Sequence, residues 1–286
     1  MRSMCGDMRG KTCVITGATG GIGLETAKRL GELGARLVLV GRNRGKGKAA
    51  IARLRSDVPD VAVEMHYADL SRSDEIRRLA DALLDSAARI DVLINNAGAI
   101  FARREIAPDG LELTFALNHM GYFRLTALLW ERLMASAPAR VVNVASEAHR
   151  GSRLDFEDLQ CSRHYSGWRA YGRSKLANIL FTRELARRLE RTGVTANCLH
   201  PGFVATGFGD NNRGPLRLGI AIGKLLAAIP VQGGAETSVY LASSPDLDGV
   251  SGKYFSRCRE RQPDTPAQND RMAARLWSES ERLAGL

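Results

Sequence analysis

Three observations predict an α/β protein built on one doubly wound parallel sheet, with helices on both faces and a single domain spanning residues 1–286. Short β-branched apolar runs alternate with longer runs of helical period. A glycine-rich turn joins the first strand to the first helix, where such folds hold phosphate. No repeat, low-complexity tract or Pro/Gly/Ser-rich linker divides the chain. Right-handed crossovers then set the winding.

In chain order, the predicted strands are Thr12–Thr16, Arg36–Val40, Val61–Met65, Asp91–Asn95, Arg140–Ala145 and Val194–Leu199. Helical periodicity covers Ile22–Leu33, Asp74–Ala88, Leu111–Met134 and Arg169–Arg191. Two segments break the rhythm, Gly151–Trp168 and Phe208–Pro230, the latter holding an apolar helical piece, Leu216–Ile229. Ligands of open α/β sheets bind outside the carboxyl ends of the strands. Both segments fall at those ends, so they are expected to wall a substrate pocket. The apolar piece is read as a lid, a subunit contact or a site of peripheral membrane docking.

Composition bounds the function. The chain has 286 residues, 44% apolar and 25% charged, enough for a sizeable core. Its net charge of +10 comes from dispersed residues such as Arg183, Arg187, Arg188 and Arg191, with no basic block, so no nucleic-acid partner is expected. Five cysteines, at 5, 13, 161, 198 and 258, are odd in number and lack CxxC spacing. Neither a disulfide framework nor a metal site is expected from them. The N-terminal segment has no apolar signal core, and no apolar run approaches the ~18 residues of a membrane span. The expected compartment is cytoplasmic.

Thr16-Gly17-Ala18-Thr19-Gly20-Gly21-Ile22-Gly23 follows a strand and opens a helix. Glycine lets the backbone turn tightly against a pyrophosphate, whose charge the helix N-terminus favours. About 20 residues on, a carboxylate would select the ribose hydroxyl of NAD. The chain instead reads Val40-Gly41-Arg42-Asn43-Arg44. Arg42 can pair with a 2'-phosphate, so NADP(H) is preferred over NAD(H). Arg44, Lys46 and Lys48 read as a solvated helix start. Asp69-Leu70 ends the third strand, where the carboxylate can accept from an adenine amino group or cap the next helix. Asn95-Asn96-Ala97-Gly98 ends the fourth, small enough for backbone to lie against a ribose.

Tyr171 and Lys175 stand at i and i+4 on one helix face. A free phenol is a weak base at neutral pH, and a nearby ammonium draws its pKa toward the working range. Ser146, at a strand end, can hydrogen-bond a carbonyl oxygen, and Asn118 can anchor a relay water behind Lys175. His119 and His149 flank these positions and read as hydrogen-bonded supports. Cys198 reads as a small buried hydrophobe, and Trp130, Trp168 and Trp277 as packing residues.

The set resembles the short-chain dehydrogenase/reductase family over nearly the whole chain: Thr16–Gly23, Asn95–Gly98, Asn118, Ser146, Tyr171/Lys175 and His200-Pro201-Gly202 fall in the family's order. The resemblance implies a Rossmann-type fold with Tyr171 as general acid/base and Ser146 orienting substrate. It further implies Lys175 on the nicotinamide ribose and tuning Tyr171, Asn118 holding a water, and Asn96 with Pro201–Thr206 on the cofactor. Within that last segment Pro201, Gly202, Val204 and Thr206 are the expected contacts, Thr206 nearest the carboxamide. The 25-residue separation of Ser146 and Tyr171, with Asp158-Leu159-Gln160, Ser174–Asn178 and Ser251–Ser256, is similar to the retinol dehydrogenase group. That group reduces retinal or other apolar aldehydes with NADPH; many members carry an N-terminal membrane anchor, which this sequence is expected to lack.

The expected activity is NADP(H)-dependent hydride transfer between nicotinamide and an apolar aldehyde or ketone, a carbonyl reductase, or oxidation of the corresponding alcohol. Alternatives are a steroid or secondary-alcohol dehydrogenase, a protochlorophyllide reductase, or a non-catalytic NADPH-binding sensor. The family's homo-oligomers, dimers or tetramers, suggest the two long helices Leu111–Met134 and Arg169–Arg191 as a subunit interface.

Overall fold

The computed structural model describes residues 5–202, 204, 209, 212 and 230–286. The first half runs β1 (Thr12–Thr16), α1 (Gly21–Glu32), β2 (Arg36–Gly41), α2 (Arg44–Asp57), β3 (Val63–Tyr67), α3 (Ser73–Ser86) and β4 (Val92–Asn95). There follow α4 (Leu113–Phe115), a π turn (Ala116–Met120), α5 (Gly121–Leu128), α6 (Trp130–Ala135), β5 (Ala139–Val144), α7 (Gly167–Arg188) and β6 (Val194–Leu199). The C-terminal part adds α8 (Val231–Ser243), β7 (Tyr254–Ser256), β8 (Arg259–Arg261) and α9 (Asp270–Ala284). Among the described residues the sheet has eight strands in the order β3-β2-β1-β4-β5-β6-β7-β8. Strand order reverses between β1 and β4, and the crevice beyond their carboxyl ends is where such folds take a ligand.

Burial on both faces explains the continuous apolar strands. Cys13 and Ile15 of β1 pack with α1 and α8 on one side, and Val14 packs with α3, α5 and α7 on the other. A buried polar tie crosses the second face. Asn95 Nδ2 donates to Thr126 Oγ1 (3.1 Å) and to Asn143 Oδ1 (2.9 Å), and Asn143 Nδ2 donates to Thr182 Oγ1 (3.0 Å). Those bonds fix β4 and β5 against α5 and α7 without water. At the amino ends of the central strands, buried Asp91 accepts from the Thr12 amide (3.0 Å) and is paired with Lys11 and Arg89, aligning the starts of β1 and β4.

Several expectations change. β8 runs antiparallel to β7, so the sheet is mixed at that edge, and β3 begins two residues later than its apolar run. The single helix expected over Leu111–Met134 is broken at the π turn and again at Leu129. Periodicity carries no mark of a π turn, because one extra residue leaves the apolar stripe nearly in place. Leu216–Ile229, and most of Phe208–Pro230, lie outside the described residues.

On the two long helices suggested as a subunit interface, α9 packs along one side. Trp277 packs edge-on against Phe123 of α5 (5.1 Å) and stacks with Phe181 of α7 (5.8 Å), with the Arg188 guanidinium over its ring (4.3 Å). Arg124 donates to Leu283 O (3.0 Å). These faces of the two long helices are covered within the chain. Asn269 caps α9 through the Met272 amide, and Gly285, at φ 70°, ends it in the left-handed conformation.

If this aromatic cluster holds the C-terminal helix in place, Trp277→Ala costs about 3–5 kcal/mol in urea unfolding, the usual toll for deleting a core aromatic. A cost below ~1 kcal/mol would mean α9 is only loosely docked.

Candidate active site

At the end of β1 the chain must turn into α1 through a space too small for side chains. Gly17 has φ +66°, and a Cβ on Gly23 would lie 2.5 Å from Gly17 O and 2.6 Å from Asn96 Nδ2. Asn96 sits there because its Nδ2 donates to Thr16 O (2.8 Å) and Gly17 O (3.3 Å). Thr16 Oγ1 in turn accepts from the Asn96 amide (2.9 Å) and the Ala97 amide (3.1 Å). Gly20 is the N-cap of α1 with no side-chain cap, so the amides of Gly21, Ile22 and Gly23 face outward as an anion cradle. Thr19 folds its methyl over Gly41, where a Cβ would come within 2.3 Å. Described residues of the post-β6 segment reach the same helix: Val204 is buried, and the close approach of Gly234 sets it beside Ile22. Thr206 lies outside the described residues.

Beyond β2, Arg42 is 71% exposed and pairs with Asp69 (3.2 Å). Asp69 also accepts from the Ser71 amide (3.0 Å) and hydroxyl (2.7 Å), closing a turn ahead of α3 rather than capping the helix. Burial alone would raise the Asp69 carboxyl, but Ser71 and Arg42 together hold it below its usual range. Asn43 caps α2 by accepting from the Lys46 amide (2.9 Å), and Arg44 lies over the Tyr67 ring (4.8 Å). Asn43 is therefore engaged by the helix. Leu70 buries its side chain in the core, which leaves only its main chain for a ligand. Arg42 thus stands at this end of the sheet as an exposed guanidinium already paired with a carboxylate.

The second cluster lies at the ends of β4, β5 and α7. Asn118 is locked by its amide: Oδ1 accepts from the Ala99 amide (2.9 Å), and Nδ2 donates to Ala99 O (2.9 Å) and Ser174 Oγ (3.0 Å). Both side-chain donors are used, so a relay water there would need the remaining lone pair on Oδ1 or a main-chain carbonyl. The π turn, closed by the Gly121 amide on Ala116 O, aims Asn118 inward. Gly98 lies against both Asn118 and Lys175: a Cβ there would meet Oδ1 at 3.2 Å and Nζ at 3.3 Å. Lys175 is buried and donates to Val144 O (2.9 Å). Its Nζ stands 5.7 Å from the Tyr171 ring centroid. Tyr171 hydrogen-bonds with Ser146, whose Oγ accepts from the Ala148 amide (3.2 Å).

Burial governs both titrating groups. It pushes the Tyr171 phenol up to about 12, opposed by the Ser146 hydrogen bond, and pulls Lys175 down to about 7. Desolvation, opposed by the Ser146 hydrogen bond, sets the phenol in this arrangement, and the neighbouring lysine is itself drawn down by burial. The site holds a protonated phenol at neutral pH, suited to giving a proton to a carbonyl oxygen.

Supports expected from the sequence fall where they can act. His119 Nε2 meets Ser280 Oγ of α9 (2.9 Å), and burial lowers its pKa to about 4, so the ring is neutral. His149 Nδ1 donates to Ser146 O (2.7 Å) and its Nε2 accepts from the Asp264 amide (3.3 Å), steadying the Ser146 main chain. Cys198 is buried, all five cysteines are free, and no metal-binding group of His, Cys, Asp or Glu occurs among the described residues. Trp168 departs from the packing role: it is 54% exposed, one turn before Tyr171, its ring 6.2 Å from the phenol ring. Two contributors were missed. Thr16 was visible as a hydroxyl before the first glycine; Ile100, which packs on Tyr171, gave no signal.

The buried lysine gives a pH test of this geometry. Its folded pKa lies below the 10.5 of a free lysine, so between about 7 and 10.5 the unfolded chain holds more protons than the folded one. The folded state therefore gains stability as pH rises through that window, and carries the full penalty at lower pH. Lys175→Met should remove this slope: its melting temperature, relative to wild type, is highest near pH 7 and converges or falls behind by about pH 10. Parallel curves would show that Lys175 is solvated.

Comparison with known proteins agrees with this geometry. The family profile described as short chain dehydrogenase matches residues 11–215. Mus musculus retinol dehydrogenase 14 is 42% identical over 295 aligned positions, covering 98% of this chain and 88% of that protein. Mus musculus retinol dehydrogenase 12 is 43% identical, covering 97% and 87%. Among solved structures, an uncharacterised protein from Mycobacterium paratuberculosis superposes with TM-score 0.80 at 33% identity, covering 99% and 96% of the two chains. Pseudomonas aeruginosa RhlG, solved as an NADP active-site complex, has TM-score 0.69 at 27% identity, covering 87% and 95%. With the switch-point cradle and the Ser146/Tyr171/Lys175 cluster on one rim, the chain belongs to the short-chain dehydrogenase family of oxidoreductases.

Proposed function

We propose that the protein is an NADPH-dependent reductase of apolar aldehydes or ketones, able to oxidise the corresponding alcohols in reverse. The observation that carries this reading is the buried Tyr171 phenol, hydrogen-bonded to Ser146 and bordered by the exposed Trp168 ring. The residues present fit a dinucleotide: the Gly17/Gly23/Asn96 cradle is too tight for side chains and open to backbone approach. Gly17, Thr19 to Gly23, Asn96, Ala97 and Gly98 would hold the pyrophosphate and adjoining ribose, and Pro201, Gly202, Val204 and Thr206 the nicotinamide half. When bound, the nicotinamide supplies the hydride.

The chain's own work is proton and orientation chemistry. Ser146 and Tyr171 would share the carbonyl oxygen, Ser146 donating to it while Tyr171 transfers its proton. Lys175, held by Val144 O, would replenish the charge balance behind the phenol and bind a ribose hydroxyl. Asn118 would keep Lys175 and the Gly98 loop in register. The exposed Trp168 ring gives the mouth apolar surface and Ile100 backs Tyr171 from the core, in keeping with the retinol dehydrogenases the chain is similar to. Arg42 would exchange Asp69 for a 2'-phosphate, giving NADP(H) preference. Five unpaired cysteines suit a reducing compartment such as the cytoplasm, and no described helix is long and apolar enough to cross a membrane.

NADPH oxidation followed at 340 nm against retinal, medium-chain aldehydes, steroids and quinones tests the reading, with NADH as control. Turnover of long apolar aldehydes supports it; silence in every case, with NADPH still bound, would return the molecule to a binding role. Tyr171→Phe should bind NADPH normally yet lose about 10²–10⁴-fold in kcat, the usual weight of a positioned acid. Arg42→Asp should shift the NADPH/NADH ratio of kcat/KM by roughly 10- to 100-fold toward NADH. An unchanged ratio would assign the 2'-phosphate to another residue.

A further inference from the structure

Among the described residues, a pair of side chains joins the strand-end loops after β5 and β6. Glu147, which follows Ser146, places Oε2 2.8 Å from His200 Nε2. His200 is the first residue beyond β6, its amide donating to Phe255 O (3.1 Å). Its other ring nitrogen, Nδ1, accepts from the Gly202 amide (3.1 Å), and Gly202 turns the chain with φ +83°. Main-chain amides only donate and carboxylates only accept, so both partners demand the same ring: neutral, with its proton on Nε2. Burial keeps that imidazole below its usual pKa. It would raise the Glu147 carboxyl, but Arg150 and His200 hold it low.

The ring is oriented from every side. It stacks on Tyr254 (5.9 Å, 21°), which His149 meets edge-on (5.2 Å). Arg150 takes the second oxygen of Glu147 and pairs with Asp264 (2.7 Å), while His149 and Arg257 are the remaining charged or titratable neighbours. Ser146 O is held by His149, not by Glu147. Loss of Glu147 therefore removes the partner of His200 Nε2, and with it the constraint on the ring's tautomer, without releasing the Ser146 main chain.

We infer that Glu147 is a positioning residue for the cofactor: through the His200 ring it sets the Pro201–Gly202 bend, whose main chain is proposed to lie against the nicotinamide half. The inference rests on the proposed role of Pro201 and Gly202 at the nicotinamide half. Neither Glu147 nor His200 need touch substrate. A clasp of this kind acts on cofactor affinity and leaves the chemical step to Ser146, Tyr171 and Lys175.

NADPH binding measured by calorimetry, with KM and kcat from the same preparations, tests this in the full-length protein. Glu147→Ala should weaken NADPH binding and raise its KM about tenfold, the weight of one charge-assisted hydrogen bond, with kcat at saturating NADPH within about twofold of wild type. Glu147→Gln keeps an acceptor at the same reach and should restore binding. In a His200→Ala background, Glu147→Ala should add nothing, since its only route to the cofactor is gone. Unchanged binding in Glu147→Ala, a loss confined to kcat, or losses that add in the double variant would overturn the inference. A wild type that binds no NADPH would overturn the functional reading, and this one with it.

Discussion

The hydrogen-bonded clamp between Thr16 and Asn96 is the contact on which the rest of the site depends. A strand-end hydroxyl receives two successive amides from the end of β4, and a side-chain amide returns two bonds to the end of β1. With four bonds the clamp closes the switch point, leaving no room for a side chain at Gly17 or Gly23. The same clamp carries Ala97 and Gly98 toward Asn118 and Lys175. The glycine cradle and the Tyr171/Lys175 cluster are thus two ends of one loop. Loosening the first would disturb the second through covalent connection, with no relay of side chains required.

Inside the cluster, desolvation outranks attraction. A lysine and a phenol buried side by side each resist ionisation, and the nearest satisfied partner of the ammonium is a carbonyl, not the phenol. Such burial is tolerated because the surrounding polar atoms are tied to main chain: Asn118 to Ala99, Ser174 to Tyr171 O, Ser146 to Ala148. Behind them α9 supplies apolar mass. Its Trp277 fills the space between α5 and α7, and its Ser280 satisfies one nitrogen of His119, the neighbour of Asn118. A C-terminal element thereby stabilises a π turn more than a hundred and fifty positions earlier in sequence.

The sheet and the site were legible to different degrees. Strands β1 and β6 matched their apolar runs at both ends, since buried parallel strands leave an unbroken signature. The glycine turn, Ser146, Tyr171 and Lys175 were readable because their chemistry restricts residue type. The π turn was not, as the apolar period barely changes across it. β7 and β8 are three residues each, too short for alternation to register. Leu70 and Asn43 show what adjacency does not tell: the sequence places both near the cofactor but does not reveal that core packing and helix capping also use their side chains. Trp168 was read as filler because sequence gives ring type but not which way a ring faces.

On the proposed assignment of Arg42 to a 2'-phosphate, its pairing with Asp69 makes cofactor recognition an exchange reaction. A guanidinium that already has a carboxylate partner offers a phosphate only the difference between two attractions, and the carboxylate must be rehydrated or find another donor; Ser71 is already on its other oxygen. Added salt weakens the old partnership and the new one together, so the two screening losses partly cancel. Discrimination between phosphorylated and unphosphorylated dinucleotides would then drift less with ionic strength than a bare surface arginine allows. A cell with fluctuating solutes would find the choice of electron donor held steady by the very contact that weakens it.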